Sequence, residues 1–227
     1  MTPVVLKLGG SLAETGRLRA LLAIVRRARR SVVIVPGGGP FADAVRETQT
    51  LLRFSDEAAH QMALLAMHQM AEAMIAIEPR FVAAETLIGI ERAWRMRRIP
   101  IWLPAKLCAG DRRIPRNWTI TSDGLAARLA ERLADVELLL VKSRTVKRTA
   151  AAKTLARQGV VDPVFPVIVE RADLAWRVLG PGDEKTLSEL LDVGPLRQTP
   201  RAPAMRRRGA RSTQHSTRGR GIAGKVR

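Results

Sequence analysis

The sequence predicts an α/β fold, a three-layer αβα sandwich with a mostly parallel, open central sheet. Short apolar runs recur along the 227 residues and alternate with longer segments of helical periodicity, a pattern typical of repeated β–α units. Two of these runs end directly in glycine-rich turns, and a helical pattern follows each turn. A hydrophobic fraction of 46% in a chain of this length is enough to bury one core.

The individual elements follow from the periodicity, in chain order. Apolar runs predict strands near residues 3–8, 32–35, 80–84, 99–103, 137–142 and 175–179. Helical spacing of apolar residues predicts helices near 12–30, 40–52, 55–77, 86–97, 122–134 and 148–158. The third of these helices carries a methionine stripe, which is typical of a core or a subunit interface; its members are Met62, Met67, Met70 and Met74.

The first glycine turn, at residues 9–11, follows the first predicted strand. It lacks the spacing of a Walker phosphate loop and of a dinucleotide-binding turn. A strand that ends in glycines and opens a helix leaves backbone N–H groups uncovered at a positive helix end, which favours an anion. Lys7 precedes the glycines, so we expect its ammonium group to project toward a phosphate bound over Gly9, Gly10 and Ser11.

The second glycine turn consists of Gly37, Gly38 and Gly39 and follows the second predicted strand. By the same argument it is an anion site. Two such sites close together suggest two phosphate-bearing ligands, a donor and an acceptor, and therefore phosphoryl transfer. A tight strand-to-helix turn without a ligand is the alternative for either turn taken alone.

A third motif, which is polar, lies at the start of the fifth predicted helix and consists of Thr121, Ser122 and Asp123. Ser122 or Asp123 is a plausible N-cap, and capping alone is the alternative explanation for Asp123. The strand that follows this helix ends in Lys142 and Ser143, so that a second lysine stands at a strand end.

These three motifs, in this order and rough spacing, resemble the amino acid kinase superfamily, which includes acetylglutamate kinase, aspartokinase and bacterial uridylate kinase. Its hallmarks are K-x-G-G-S on the first strand, a G-G-G turn after the second, and an aspartate ahead of a helix in the second half. The resemblance covers about residues 3–192. The chain is also similar to one branch of the superfamily, which contains the kinase of [5-(aminomethyl)furan-3-yl]methyl phosphate in methanofuran biosynthesis; the similar segments are 36–43, 56–63, 120–127, 140–143 and 161–165.

The resemblance implies an ATP-dependent phosphotransferase and the roles of its site residues. The catalytic residues would be Lys7, Asp123 and Lys142, with Asp123 orienting Lys7. ATP would be bound by Lys7, Gly9, Gly10, Ser11, Thr121, Ser122, Lys142 and Ser143. The acceptor would lie against Gly37, Gly38, Gly39 and His60.

The second catalytic lysine departs from the superfamily pattern. Many members carry a later G-M-x-x-K motif, which is absent here. Lys142, Lys147 or Lys153 would then supply the second cation.

The expected reaction converts [5-(aminomethyl)furan-3-yl]methyl phosphate to its diphosphate. An acceptor phosphate needs no strong general base because its second pKa is about 6, so Asp123 would organise the lysines and not accept a proton. Mg²⁺ would be held by ATP oxygens and water, without a metal site of its own. The alternatives are a uridylate-type nucleoside monophosphate kinase, a carboxylate kinase and, from another class, a non-catalytic nucleotide-binding regulator or oxyanion-storage relative.

Composition bounds the compartment and the partners. A single cysteine, Cys108, excludes an internal disulfide, and no apolar run approaches the roughly 18 residues of a membrane span. A cytoplasmic enzyme with a domain over residues 1–194 is expected, and the resemblance implies a homo-oligomer. More than half of the net charge of +18 lies in residues 195–227, which are expected to be a disordered basic tail. Weak nucleic-acid contact by this tail is possible but not favoured.

Overall fold

The computed structural model describes residues 1–192, and the predicted basic tail lies outside the described residues. The described part contains a six-stranded sheet in which every pair of neighbouring strands is parallel. Its strands are β1 (Val4–Leu8), β2 (Val32–Pro36), β3 (Phe81–Ala84), β4 (Ile99–Trp102), β5 (Glu137–Val141) and β6 (Trp176–Leu179). All six lie where the apolar runs predict them.

Helices connect these strands. A 3₁₀ turn at Gly10–Leu12 follows β1. The α-helices are α1 (Arg17–Val25), α2 (Gly39–Leu52), α3 (Asp56–Ile77), α4 (Leu87–Arg95), α5 (Ala105–Ala109), α6 (Ser122–Leu133), α7 (Ala152–Arg157), α8 (Val164–Arg171) and α9 (Glu184–Leu190).

The helices cover both faces of the sheet. Successive side chains of a strand point to opposite faces, so neighbouring residues of β1 belong to different apolar clusters. Val5 of β1 belongs to an apolar cluster that includes residues of α4, α6 and α8. Its neighbour Leu6 belongs to a second cluster that includes residues of α1 and α9. The predicted three-layer αβα sandwich is therefore confirmed. Lys7 shares with Val5 the face that α6 covers.

Several helix boundaries differ from the prediction. The helix predicted over 12–30 begins only at Arg17, because Gly16 adopts a left-handed backbone with φ of +70°, and it ends at Val25. The short helices α5, α8 and α9 were not predicted. Three of the four methionines of α3 are buried in the core, and Met62 is 38% exposed.

The sheet order β3-β4-β2-β1-β5-β6 places β1 between β2 and β5. The last residue of β1, Leu8, is in register with Pro36 of β2 and Val141 of β5. The three strands therefore end together. The chain passes from β1 to β2 on one side and later crosses from β4 to β5 on the other side of β1. In open α/β sheets, ligands bind at such a reversal of strand order, outside the carboxyl ends of the strands.

Candidate active site

The two glycine turns contact each other, backbone against backbone, at this edge of the sheet. The Gly37 N–H donates a 2.8 Å hydrogen bond to the Leu8 carbonyl. A Cβ atom on Gly10 would lie 2.1 Å from the Gly39 nitrogen, and one on Gly37 would lie 2.2 Å from the Gly10 nitrogen. No side chain fits between the turns, so only glycine permits this approach.

The second turn opens α2, whose 14 residues begin at Gly39. The first N–H groups of a helix have no intrahelical acceptor, and the helix dipole makes this end positive. Both turns border a cavity of about 230 Å³, so that Gly10, Ser11 and the three glycines of the second turn face the same space. The positive end of α2 therefore borders this space, which favours an anion there.

A buried charge cluster lies at the same strand ends. The Asp123 carboxylate pairs with two ammonium groups: Oδ1 lies 2.9 Å from Lys7 Nζ, and Oδ2 accepts a 2.6 Å hydrogen bond from Lys142 Nζ. The Lys7 contact is a close ion pair without the alignment of a hydrogen bond. The three residues are 5%, 5% and 9% exposed. Two cations therefore face one carboxylate at the edge of the sheet.

Burial and mutual charge shift the pKa values in this cluster. Burial works against ionisation of Asp123, but the ammonium groups of Lys7 and Lys142 outweigh it and hold its pKa below the ordinary value. Burial, with repulsion from Lys7, lowers the pKa of Lys142 to about 8 despite the attraction of Asp123. At neutral pH the cluster is a carboxylate between two ammonium groups, which suits the charge of a transferring phosphoryl group.

Sequence reasoning missed the role of Asp162, which fixes the first turn of α6. Its Oδ2 accepts hydrogen bonds from the N–H groups of Thr121 and Gly124 and from the Thr121 hydroxyl, at 2.7 to 2.9 Å. Its Oδ1 accepts from the N–H groups of Val164 and Phe165 at the start of α8. Burial, together with the nearby Asp123 carboxylate, raises the pKa of Asp162 against these bonds. Asp162 thereby ties two helix ends together beside Asp123. The order Asp–Pro before a helix was the signal that could have identified it.

His60, which the sequence analysis assigns to the acceptor, lines the cavity beside the turns. Burial, with the nearby Arg116 guanidinium, lowers the pKa of His60, so its imidazole is neutral at pH 7. Thr121 and Ser122, predicted to bind ATP, line this same cavity. Three further charged or aromatic residues of the lining were not predicted: Asp43 and Arg46 on α2, and Trp118 from the segment before α6.

Of the remaining predicted residues, Ser143 lies beside the first turn, and the two alternative lysines lie at the surface. The hydroxyls of Ser11 and Ser143 are 2.8 Å apart. Of the three lysines considered as second cation, Lys142 contacts Asp123, whereas Lys147 is exposed and Lys153 pairs with Glu170 at 2.9 Å. In the helices described, none combines the length and apolar character needed to cross a bilayer. Residues 1–192 contain no group of three metal-ligating side chains that could hold an ion.

Comparisons of structure show the fold. A uridylate kinase from Archaeoglobus fulgidus superposes with a TM-score of 0.63 at 17% identity, covering 85% of this chain and 96% of that one. A carbamate kinase from Giardia lamblia superposes with a TM-score of 0.53 at 12% identity, covering 84% of this chain and 96% of that one. At these identities the likeness concerns the architecture.

Comparisons of sequence go further. A [5-(aminomethyl)furan-3-yl]methyl phosphate kinase of Methanocaldococcus jannaschii is 31% identical in an alignment of 201 residues that covers 82% of this chain and 92% of that protein. The model of the amino acid kinase family matches residues 2–144. This stretch holds both glycine turns and all three residues of the buried charge cluster. The chain is therefore a kinase and belongs to the amino acid kinase family.

Proposed function

We propose that this kinase transfers the γ-phosphoryl group of ATP to the phosphate of a small phosphomonoester, and that the acceptor is [5-(aminomethyl)furan-3-yl]methyl phosphate. The observation that carries the proposal is the buried cluster of Lys7, Asp123 and Lys142 at the foot of two apposed glycine turns. The choice of acceptor is supported by the 31% identical relative, which is named for that substrate.

The donor side is assigned to the first turn. ATP phosphates would lie against the N–H groups of Gly10 and Ser11, with Lys7 and Lys142 neutralising the β- and γ-phosphates. The Gly9 N–H, expected to face the phosphates, instead donates a 3.2 Å hydrogen bond to the Val141 carbonyl. Ser143, 2.8 Å from Ser11, closes this side, and Thr121 and Ser122 border the space between donor and acceptor. Mg²⁺ would enter with ATP, held by phosphate oxygens and water.

The acceptor side is assigned to the cavity. The acceptor phosphate would accept hydrogen bonds from Gly38 and Gly39 of the second turn, because the Gly37 N–H is already bound to the Leu8 carbonyl. A neutral His60 would contact the phosphate without adding charge. One acceptor oxygen attacks the γ-phosphorus while the bond to the β–γ bridging oxygen breaks, giving a diphosphate and ADP. Catalysis then rests on positioning and charge neutralisation.

The proposal is tested by ADP release with Mg-ATP against a panel of acceptors: the aminomethylfuran phosphate, UMP, isopentenyl phosphate, acetylglutamate and aspartate. Mass spectrometry identifies each product. Diphosphate formed from the furan phosphate, with kcat/KM at least tenfold above every other acceptor, is the expected result. Preferred turnover of UMP would overturn the acceptor assignment. ATP binding without turnover of any acceptor would favour a regulatory or storage role.

We further propose that the kinase is a homo-oligomer that associates through α3. On this helix Met62 and Leu65 are 38% and 54% exposed, one turn apart. Light scattering after gel filtration should give a multiple of 25.0 kDa, and Leu65→Glu should reduce it to the monomer. A monomeric wild-type chain would refute this.

A further inference from the structure

We propose that Asp43 binds a primary ammonium group of the acceptor and thereby selects amine-bearing phosphomonoesters. This inference rests on the proposed function, and it concerns the cavity beside the second glycine turn. Among the described residues that line the cavity, Asp43 is the only one with a carboxylate.

The position of Asp43 suits an ammonium group held at a distance from a phosphate. Asp43 lies four residues after Gly39 on α2, on the same helix face and about 6 Å further along the axis. One ligand can therefore bind at both points. Its phosphate would lie at the start of α2 and its ammonium group at Asp43, with a short, rigid spacer between them.

The surface between these two points suits an apolar ring. Apolar side chains make up the wall of the cavity; they are Ala42, Ala63, Leu64, Met67, Ile120 and Leu125. Trp118 adds an aromatic ring, which is fixed from two directions: its Nε1–H donates to Gln49 Oε1 at 2.7 Å, and the Arg46 guanidinium lies 4.4 Å from its ring centre. The spacer is thus predicted to be unsaturated or aromatic.

Asp43 is available to a ligand. Its side chain is 56% exposed, and Arg46 donates one 2.7 Å hydrogen bond to its Oδ1. A carboxylate has about four acceptor positions, so this bond leaves room for an ammonium group. A uridine monophosphate has no cation to offer at this point, whereas an aminomethylfuran phosphate has one.

The experiment compares two acceptors that differ at one group: the aminomethylfuran phosphate and its hydroxymethyl analogue. Values of kcat/KM are measured for wild type, Asp43→Asn, Asp43→Glu and the control Glu47→Gln. The control removes the same charge from the same helix, at an exposed residue that does not line the cavity. Thermal unfolding of each variant verifies its fold.

The expected result is a wild-type preference for the amine that Asp43→Asn reduces about 10- to 100-fold, the range for loss of one charge-assisted hydrogen bond. Asp43→Glu should restore part of the preference, and Glu47→Gln should leave it unchanged. A preference that survives in Asp43→Asn overturns the inference. So does a wild type that uses both acceptors equally well, although the proposed function then stands. A wild type that uses neither acceptor refutes both.

Discussion

Two carboxylates near the same glycine turns form ion pairs of similar length in different surroundings. Asp123 contacts Lys7 and Lys142 at 2.9 and 2.6 Å, with side chains no more than 11% exposed. Asp43 contacts Arg46 at 2.7 Å, with side chains 56% and 49% exposed. Length therefore does not distinguish them, whereas the solvent around them does.

The difference in exposure implies different tasks. Removing one partner of a buried pair leaves an uncompensated charge, so the cluster around Asp123 is held in one arrangement. An exposed pair contributes about 0–1 kcal/mol and exchanges partners readily. The buried cluster suits a fixed chemical step common to many acceptors, and the exposed pair suits the recognition of a particular one. The following variants break or sharpen this contrast, beginning with the largest expected effect.

Gly10→Ala should abolish the site to which the buried cluster and the exposed pair both belong. Its Cβ would lie 2.1 Å from the Gly39 backbone nitrogen, and backbone cannot move aside as a flexible side chain can. Activity in the ADP-release assay should fall at least 10³-fold. Gly110→Ala is the matched control, because a Cβ there meets no atom within 4 Å, and this variant should retain wild-type kinetics. Normal turnover by Gly10→Ala would mean that the turns are free to separate.

Lys7→Ala should raise KM for ATP and also lower kcat. It removes one of the two cations on Asp123, and loss of one preorganised charge donor costs about 10²- to 10³-fold. Lys153→Ala makes the same chemical change at a 72% exposed side chain paired with Glu170, and it should change neither constant measurably. If the two variants behave alike, the donor-site assignment of Lys7 is wrong.

Alkaline pH should weaken ATP use through Lys142. Because its pKa is lowered to about 8, Lys142 loses its proton as pH rises through that value, and the charge that meets the phosphates disappears. In the profile of kcat/KM for ATP, which reports the free enzyme, activity should fall up to tenfold per pH unit above pH 8. An arginine stays charged, so Lys142→Arg should lose this alkaline limb even where its rate is lower. A limb that persists in Lys142→Arg belongs to another group.

Asp162→Asn should destabilise the fold more than it alters the chemistry. Both carboxylate oxygens accept hydrogen bonds, so an amide NH₂ at either position faces N–H donors. Leaving such groups unpaired costs about 1–3 kcal/mol, which corresponds to about 2–12 °C in the midpoint of thermal unfolding for a domain of this size. Calorimetry measures the shift. An unchanged midpoint would show that Asp162 does not hold the two helix ends together.

The sequence was sufficient for the fold and for the buried cluster, for a common reason. Buried parallel strands are continuous apolar runs, and the residues at their ends meet at one edge of the sheet. Lys7 and Lys142 each stand at the end of such a run, so strand prediction placed both. Asp123 was selected through the resemblance to the family, because its place at the start of a helix is explained equally well by capping.

The residues that line the open cavity could not be predicted from the sequence in the same way. Trp118 reaches α2 from a segment with no regular periodicity, and its contacts with Arg46 and Gln49 depend on the path of that segment in space. The left-handed Gly16 likewise depends on local backbone that a hydrophobic pattern does not register. The specificity that we propose would reside where sequence patterns are least informative, on a loop and an exposed helix face.

The central claim is that Asp123 organises two lysines and accepts no proton. The most direct measurement is kcat between pH 5 and 7.5 for wild type and Asp123→Asn, with saturating Mg-ATP and aminomethylfuran phosphate. We predict that Asp123→Asn lowers kcat by at least about 10²-fold and leaves the acid limb unchanged, because that limb follows the acceptor phosphate, whose second pKa is about 6. An acid limb that is present in wild type and absent from Asp123→Asn would identify Asp123 as a general base and contradict the account.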